Sequence, residues 1–149
     1  MINPIQIRPC DSCTECCNGW LEATIHDHTM KPGVPCKYRV NTGCSIYVNR
    51  PVTPCKEFIC QWAFDFNIPD WMKPDKVKVL CTTHKVGKHI ILELRECGQT
   101  MSSEVLNWMF LMFISKKILN VKYQLNSKWY YLSSELDNLA EYIKEQMNE

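Results

Sequence analysis

Four thiols stand within eight residues in Cys10-Asp11-Ser12-Cys13-Thr14-Glu15-Cys16-Cys17. Cys36, Cys44, Cys55 and Cys60 follow, so eight of the ten cysteines lie between residues 10 and 60. A Cys-x-x-Cys turn brings two sulfurs to the separation at which both can ligate one metal ion, whereas a strain-free disulfide across it is uncommon outside redox motifs. The chemistry this pattern serves best is thiolate coordination of a metal, with Cys10, Cys13, Cys16, Cys17, Cys36, Cys44, Cys55 and Cys60 as the candidate ligands. The competing reading is a set of structural thiols, free or joined as disulfides. Residues Met1 to Arg8 contain no apolar stretch and no small-residue cleavage site, so export is not expected. A cytoplasmic setting, which keeps thiols reduced and available to metal, is the expectation.

Eight thiols suit two four-coordinate sites with interleaved ligands. Adjacent side chains tend to point apart, so Cys16 and Cys17 are expected to serve two neighbouring centres, unless one is a spare or bridging ligand. Zinc on four thiolates and a [4Fe-4S]2+ cluster on four thiolates carry the same net charge, so electrostatics does not separate them. Cys10, Cys13 and Cys16 match the start of a bacterial ferredoxin run, but the fourth cysteine, followed by proline, is missing; Cys17 comes at once and Asn18 follows. Zinc is the expected cofactor, with an iron-sulfur cluster as the alternative.

The elements that must position these residues differ between the halves of the chain. Residues 1–75 hold all eight prolines and show little sustained periodicity, which predicts a loop-rich region stapled by metal rather than by a core. A strand is expected over Gly19 to His28, turns over Met30 to Arg50, and a helix from Thr53 as N-cap and Pro54 to about Phe66. On that helix Cys55 and Cys60 would lie about 140° apart around the axis, so both could not reach one ion. Residues 76–149 are patterned. Lys76 to His84 and His89 to Cys97 read as a hairpin about a Val86-Gly87 loop, which pairs Val79 with Leu94, Cys81 with Leu92, Thr83 with Ile90 and His84 with His89. Ser102 or Ser103 caps a helix reaching Lys117, and Val121 to Leu125 with Trp129 to Leu132 form a second hairpin around Asn126-Ser127-Lys128. Ser134-Glu135-Leu136-Asp137 resembles a capping box opening a final amphipathic helix through Leu139, Ala140, Ile143 and Met147. The expected fold is a single α+β domain over 1–149: a cysteine-cluster region, 1–75, followed by two β-hairpins and two helices, 76–149.

The cysteine half also carries Gly33-Val34-Pro35-Cys36, Gly43-Cys44-Ser45-Ile46-Tyr47, Arg50-Pro51, and Pro54-Cys55-Lys56-Glu57-Phe58-Ile59-Cys60 with Trp62, then Lys73-Pro74-Asp75-Lys76. With the opening cluster, this resembles the CxxCxxCC (YkgJ-like) cysteine-cluster proteins, described as zinc- or iron-chelating. The resemblance covers roughly residues 10 to 76 and implies that the eight cysteines are metal ligands. The remainder of the chain carries no assignable motif.

Several function classes are disfavoured. The 149 residues carry 17 Lys+Arg against 16 Asp+Glu, a net charge of +1, which argues against nucleic-acid or membrane-surface binding driven by bulk charge. The longest apolar run, Val105 to Ile114, is interrupted by Asn107 and is shorter than the roughly 18 residues a bilayer span takes. Closed four-thiolate sites leave no position for water, so hydrolytic zinc catalysis is not expected, and no serine-histidine-aspartate arrangement or phosphate loop is visible. His26 and His28 read as surface or strand residues, Cys81 as an apolar core residue and Cys97 as an ordinary thiol, while Arg39 and Arg50 would offset thiolate charge. The expected role is structural or metal-handling, toward a protein partner or client.

Overall fold

The computed structural model describes residues 6–135, together with Glu141 and Glu145. Its front part is built of short pieces. β1 (Ala23–Ile25) and β2 (His28–Met30) form a small hairpin, and β3 (Arg39–Val40) pairs with β4 (Gly43–Cys44). The strand expected over 19–28 is therefore a hairpin, because His26 takes a left-handed conformation (φ 53°) and reverses the chain, so that Ile25 faces His28. Enclosed here are Ile25, Met30 and Cys36, with Cys17, Leu21, Ala23, Tyr38 and Cys55 packed around them.

The helix expected over 54–66 does not form. Thr53 is extended (φ −105°, ψ 123°), the Thr53–Pro54 bond is cis, and a single wide turn spans Val52–Lys56. Cys60 is extended as well, and only α1 (Gln61–Phe64) is helical. Downstream, the Arg8 guanidinium donates to the backbone carbonyls of Trp62, Asp65 and Ile68, pairs with Asp70 at 2.7 Å, and lies 4.4 Å from the Trp62 ring centre. The Asp65 and Ile68 carbonyls are free to accept because they lie past the end of α1, and the break in the expected helix lies upstream, at extended Thr53 and Cys60. Thr53 does not cap; its hydroxyl donates to Glu57 at 2.7 Å.

α2 (Pro74–Val77) leads into a four-stranded sheet of β5 (Val79–Val86), β6 (His89–Glu96), β7 (Asn120–Leu125) and β8 (Lys128–Ser133), in that order. Both expected hairpins are present, and α3 (Ser103–Ile114) crosses between them so that β6 and β7 run parallel. Ser102 caps α3, its side chain accepting from the Val105 N–H at 3.3 Å. The fold is α+β. Val79, Cys81, Leu92, Leu94, Val121 and Tyr123 line one face of the sheet and pack with Met101, Val105 and Met109 of the α3 region and with Trp62, Ala63, Ile68 and Met72.

The first hairpin is two residues out of the expected register. Val86 pairs with His89, Cys81 with Leu94, Thr83 with Leu92, and His84 with Ile91, so the two histidines do not face each other. The turn centres on Gly87-Lys88 because the first central position needs the positive φ that Gly87 adopts (59°) and valine disfavours. A two-residue slip keeps every side chain on its face, so Cys81 stays in the core. In the second hairpin, Asn126 and Ser127 both have positive φ and form the tight turn alone, with Lys128 already in β8. The final helix expected after Ser134 falls outside the described residues. Among the described residues no helix is long and apolar enough to cross a membrane.

Candidate metal centre

The N-terminal cluster is shaped by two tight turns. Cys10 and Cys13 close a turn through the Cys13 N–H to Cys10 carbonyl bond (2.9 Å), with Asp11 in the left-handed region at φ 52°. Aspartate tolerates that conformation better than most residues. Cys16, Cys17 and Asn18 form one 3-10 turn, ended by Gly19 at φ 98°. A side chain at Gly19 would place its Cβ 2.3 Å from the Lys31 carbonyl oxygen, so this close crossing of the cluster over β2 depends on glycine.

From these turns the eight thiols sort into two neighbourhoods. Cys10, Cys13 and Cys16 line one small cavity of about 20 Å³ together with Cys60, against Trp62, Lys73, Pro74 and Leu80. Cys17 turns the other way and packs with Cys36 and Cys55 around Ile25 and Met30. Cys44, opposite Arg39 across the β3–β4 pair, lies near enough to Cys55 to act on its charge. The Cys36 N–H donates to the Cys17 carbonyl at 2.9 Å and fixes this second group. The two groups touch at the adjacent pair, where the Cys16 and Cys17 sulfurs are 3.9 Å apart. Extended Cys60 is delivered by α1 and the Arg8 clamp, and Cys55 by the Val52–Lys56 turn, so they fall in different groups.

Electrostatics acts within each group and also across them, since the charge of Cys17 adds to the rise of Cys10 and its hydrogen bond dominates Cys16. Burial pushes the Cys10 thiol up while Lys73 opposes it, and burial also raises Cys13. Cys60 is pushed up to about 11, chiefly by burial, with the charges of Cys10 and Cys13 adding to it. Cys16 is raised well above the usual thiol range by its hydrogen bond to Cys17 and by burial; the same bond, helped by Arg39, lowers Cys17 to about 7. Either sulfur can donate in this pair, and the two titrate together. Burial, then the charges of Cys17, Cys36 and Cys44, raise Cys55, and Arg50 opposes them.

All ten cysteines are free. Among the described residues no group of three or more His, Cys, Asp or Glu side chains is drawn together into a shell that could hold a metal ion; the two groups are neighbourhoods of thiols rather than closed shells. Their donor chemistry fits thiophilic metal: sulfur only, a small space walled by Trp62, Pro74 and Leu80, and a cation beside each group. The other titratable candidates stand elsewhere. His26 meets the edge of Tyr38, and His28 bonds the Pro35 carbonyl at 2.9 Å. His84 and His89 each pair with a carboxylate the sequence had not put beside them, Glu93 at 3.0 Å and Glu135 at 2.5 Å. Cys81 and Cys97 are buried, and Cys81 belongs to the sheet core against which Cys60 packs.

Two residues at the site escaped the reading of the cysteines alone. Lys73 is buried, lines the first group and pairs with Asp11 at 3.2 Å; its signal was the Lys73-Pro74-Asp75-Lys76 motif that trails the cysteines. Arg8, two residues before Cys10, gave no signal, because its partners are carbonyls more than fifty residues away. No protein-family model, curated protein or solved structure matches the chain. The functional reading therefore stands on the residues themselves.

Proposed function

We propose that this chain is a metal-binding protein that holds zinc in two cysteine-thiolate sites, one drawn from Cys10, Cys13, Cys16 and Cys60 and the other from Cys17, Cys36, Cys44 and Cys55, and that its role is structural or metal-handling toward a protein partner. The observation that carries the reading is the sorting of eight thiols into two fours, with the neighbours Cys16 and Cys17 divided between them. The motif resemblance to the zinc- or iron-chelating CxxCxxCC proteins points the same way. Zinc is the ion whose tetrahedral shell four thiolates complete, and an iron-sulfur cluster on the same thiols is the alternative.

Four thiolates complete a tetrahedral zinc shell and leave no place for water, so the chemistry supplied is rigidity or ligand exchange rather than hydrolysis. The chain's own part is to hold sulfur donors that must lose protons on loading, with Lys73, Arg39 and Arg50 offsetting the negative charge that results.

Metal analysis with an absorption spectrum, on protein purified without oxygen, tests this. About two zinc per chain and no visible absorption are expected. A brown protein with acid-labile sulfide would replace zinc by an iron-sulfur cluster, and a metal-free protein with its eight thiols joined as disulfides would end the reading.

A further inference from the structure

Ile90 and Ile91 are neighbours on β6 and lie on opposite faces of the sheet, with environments the reverse of what α3 provides. Ile90 is on the α3 side with Leu92, yet it is 63% exposed. Ile91 is on the outer face, away from α3, and has no exposed surface at all. The strand register sets Val86, His89, Glu93, Lys122 and Tyr131 on that same outer face, and His89, Glu93 and Lys122 are buried too. The cysteine region covers one end of it, where Leu80 lines the cavity of Cys10 and Arg95 pairs with Glu22. At the other end, the hydrophobic side chains packed on Ile91 among the described residues are Val86 and Tyr131, both from the sheet itself. Sheet neighbours stand beside a side chain rather than over it, so sealing Ile91 from water takes a second layer.

We propose that the chain's own C-terminal segment, residues 136–149, docks as one helix across this end of the outer face, over Ile91, Val86 and Tyr131. The path of the chain delivers it there. The Ser134 N–H donates to the Leu119 carbonyl at 2.9 Å, and the Glu135 carboxylate accepts from Asn120 at 2.6 Å and pairs with His89 at 2.5 Å. Asn120 and His89 both belong to the outer face, so residue 136 starts at its edge. The length fits as well: 14 residues make a helix of about 21 Å, and four strands about 4.8 Å apart span about 14 Å. So does the pattern. On a helix Leu136, Leu139, Ala140, Ile143 and Met147 fall on one stripe, and Glu141 and Glu145 fall on the opposite side; these two glutamates are helical and exposed. The sheet then becomes the middle of three layers, its outer face shared between the cysteine region and the C-terminal helix. No thiol and no metal enters this inference, so it stands or falls apart from the proposed function.

The test uses the full chain with the photocrosslinker p-benzoylphenylalanine in place of Ile143. Irradiation should give an adduct of single-chain mass that joins residue 143 to the peptides carrying Val86 to Ile91 or Tyr131. An adduct of doubled mass assigns the face to a second copy, one confined to Leu111 and Ile114 puts the segment on α3, and no adduct leaves the face to another occupant; each overturns the proposal. A second measurement reads the Ile91 and Leu94 methyl signals by NMR in the presence of a soluble nitroxide, which broadens whatever it can reach. Both should stay sharp in the unaltered chain. Leu139→Asp, which charges the apolar stripe, should broaden Ile91 and spare Leu94, whereas Glu145→Lys, on the opposite side of the helix, should broaden neither. An Ile91 signal that stays sharp in Leu139→Asp assigns the cover to residues 1–5 or to a partner, and broadening of Leu94 together with Ile91 means that the segment supports the whole core rather than this face; either result overturns the docking site.

Discussion

Between Cys17 and Cys55 the buried apolar side chains are Ile25, Met30 and Cys36, whereas the sheet and α3 enclose Val79, Cys81, Leu94, Val105, Met109 and Val121 with no exposed surface at all. Burying a large apolar side chain stabilises by roughly 1.5–3 kcal/mol, while ordering the backbone costs about 1–2 kcal/mol for every residue fixed. Three such side chains cannot order the loops of the front region, and the rear region has ample core for its own. The comparison teaches that the front must draw on another source of free energy, and the proposed thiolate-metal bonds would be that source. The largest expected effect follows. Stripping zinc with a chelator should withdraw about 10 kcal/mol or more from the front and little from the rear. Hydrogen exchange read residue by residue should then show residues 10–60 exchanging freely while β5, β6 and β7 stay protected. Undiminished protection of β1 and β2 in the stripped protein would break the contrast.

The converse lesion is a cavity in the rear. Leu94 is wholly buried and pairs with both Cys81 and Tyr123 across the sheet. Leu94→Ala should cost about 2–5 kcal/mol in denaturant unfolding without loss of zinc from the group of Cys17, Cys36, Cys44 and Cys55, because of the eight thiols Cys60 alone packs against the core that holds Leu94. Loss of that zinc in a folded Leu94→Ala protein would mean the regions share one cooperative unit. A smaller effect belongs to Arg8, which joins them. Its charged hydrogen bonds to the Trp62, Asp65 and Ile68 carbonyls hold the segment that begins at Cys60. Arg8→Met should cost about 2–3 kcal/mol and weaken zinc only at the site containing Cys60; a variant with unchanged stability and equal losses at both sites would refute the clamp.

How much of this was legible in the sequence depended on whether the information was local. The β7–β8 turn was visible in Asn126-Ser127 because those residues state their backbone preference themselves. The start of α3 was visible in Ser102 and the apolar run behind it. The α+β class followed from the periodicities. The geometry offered for the cysteines did less: Cys16 and Cys17 bring their sulfurs within 3.9 Å of each other rather than pointing apart, and the helix that would have set Cys55 and Cys60 on different sides does not form. The helix expected from Thr53-Pro54 does not form, since Thr53 and Cys60 both take extended backbone and only Gln61–Phe64 is helical. The β5–β6 register failed on which central turn position takes positive φ, a difference of two residues that leaves the faces intact. The grouping of Cys44 with Cys55, and of Cys60 with Cys10, depends on contacts across the fold that spacing along the chain does not encode.

The smallest expected effect lies on the sheet face turned away from α3, where Glu93 is buried at 5% exposure among His84, Lys122 and Arg95, at 3.0, 3.7 and 3.5 Å. Burial pushes the Glu93 carboxyl up, but the His84 hydrogen bond and the charges of His84, Lys122 and Arg95 outweigh it and hold the group below its ordinary 4.5. A carboxylate whose folded pKa is depressed stabilises the fold above its unfolded pKa, and the contribution is lost as pH falls through the folded value. Arg95 also reaches Glu22 at 3.0 Å, so this cluster is a second, exposed link from the rear sheet to the front. His84→Ala should therefore lower stability by about 1 kcal/mol near neutral pH, and the gap from the unaltered protein should close as Glu93 is protonated in acid. Zinc content should not change, since none of these side chains lines either group of thiols. A gap of the same size at about pH 3 as at about pH 7 would show that His84 contributes packing alone, and would remove the ionic link from the account of how the two regions are joined.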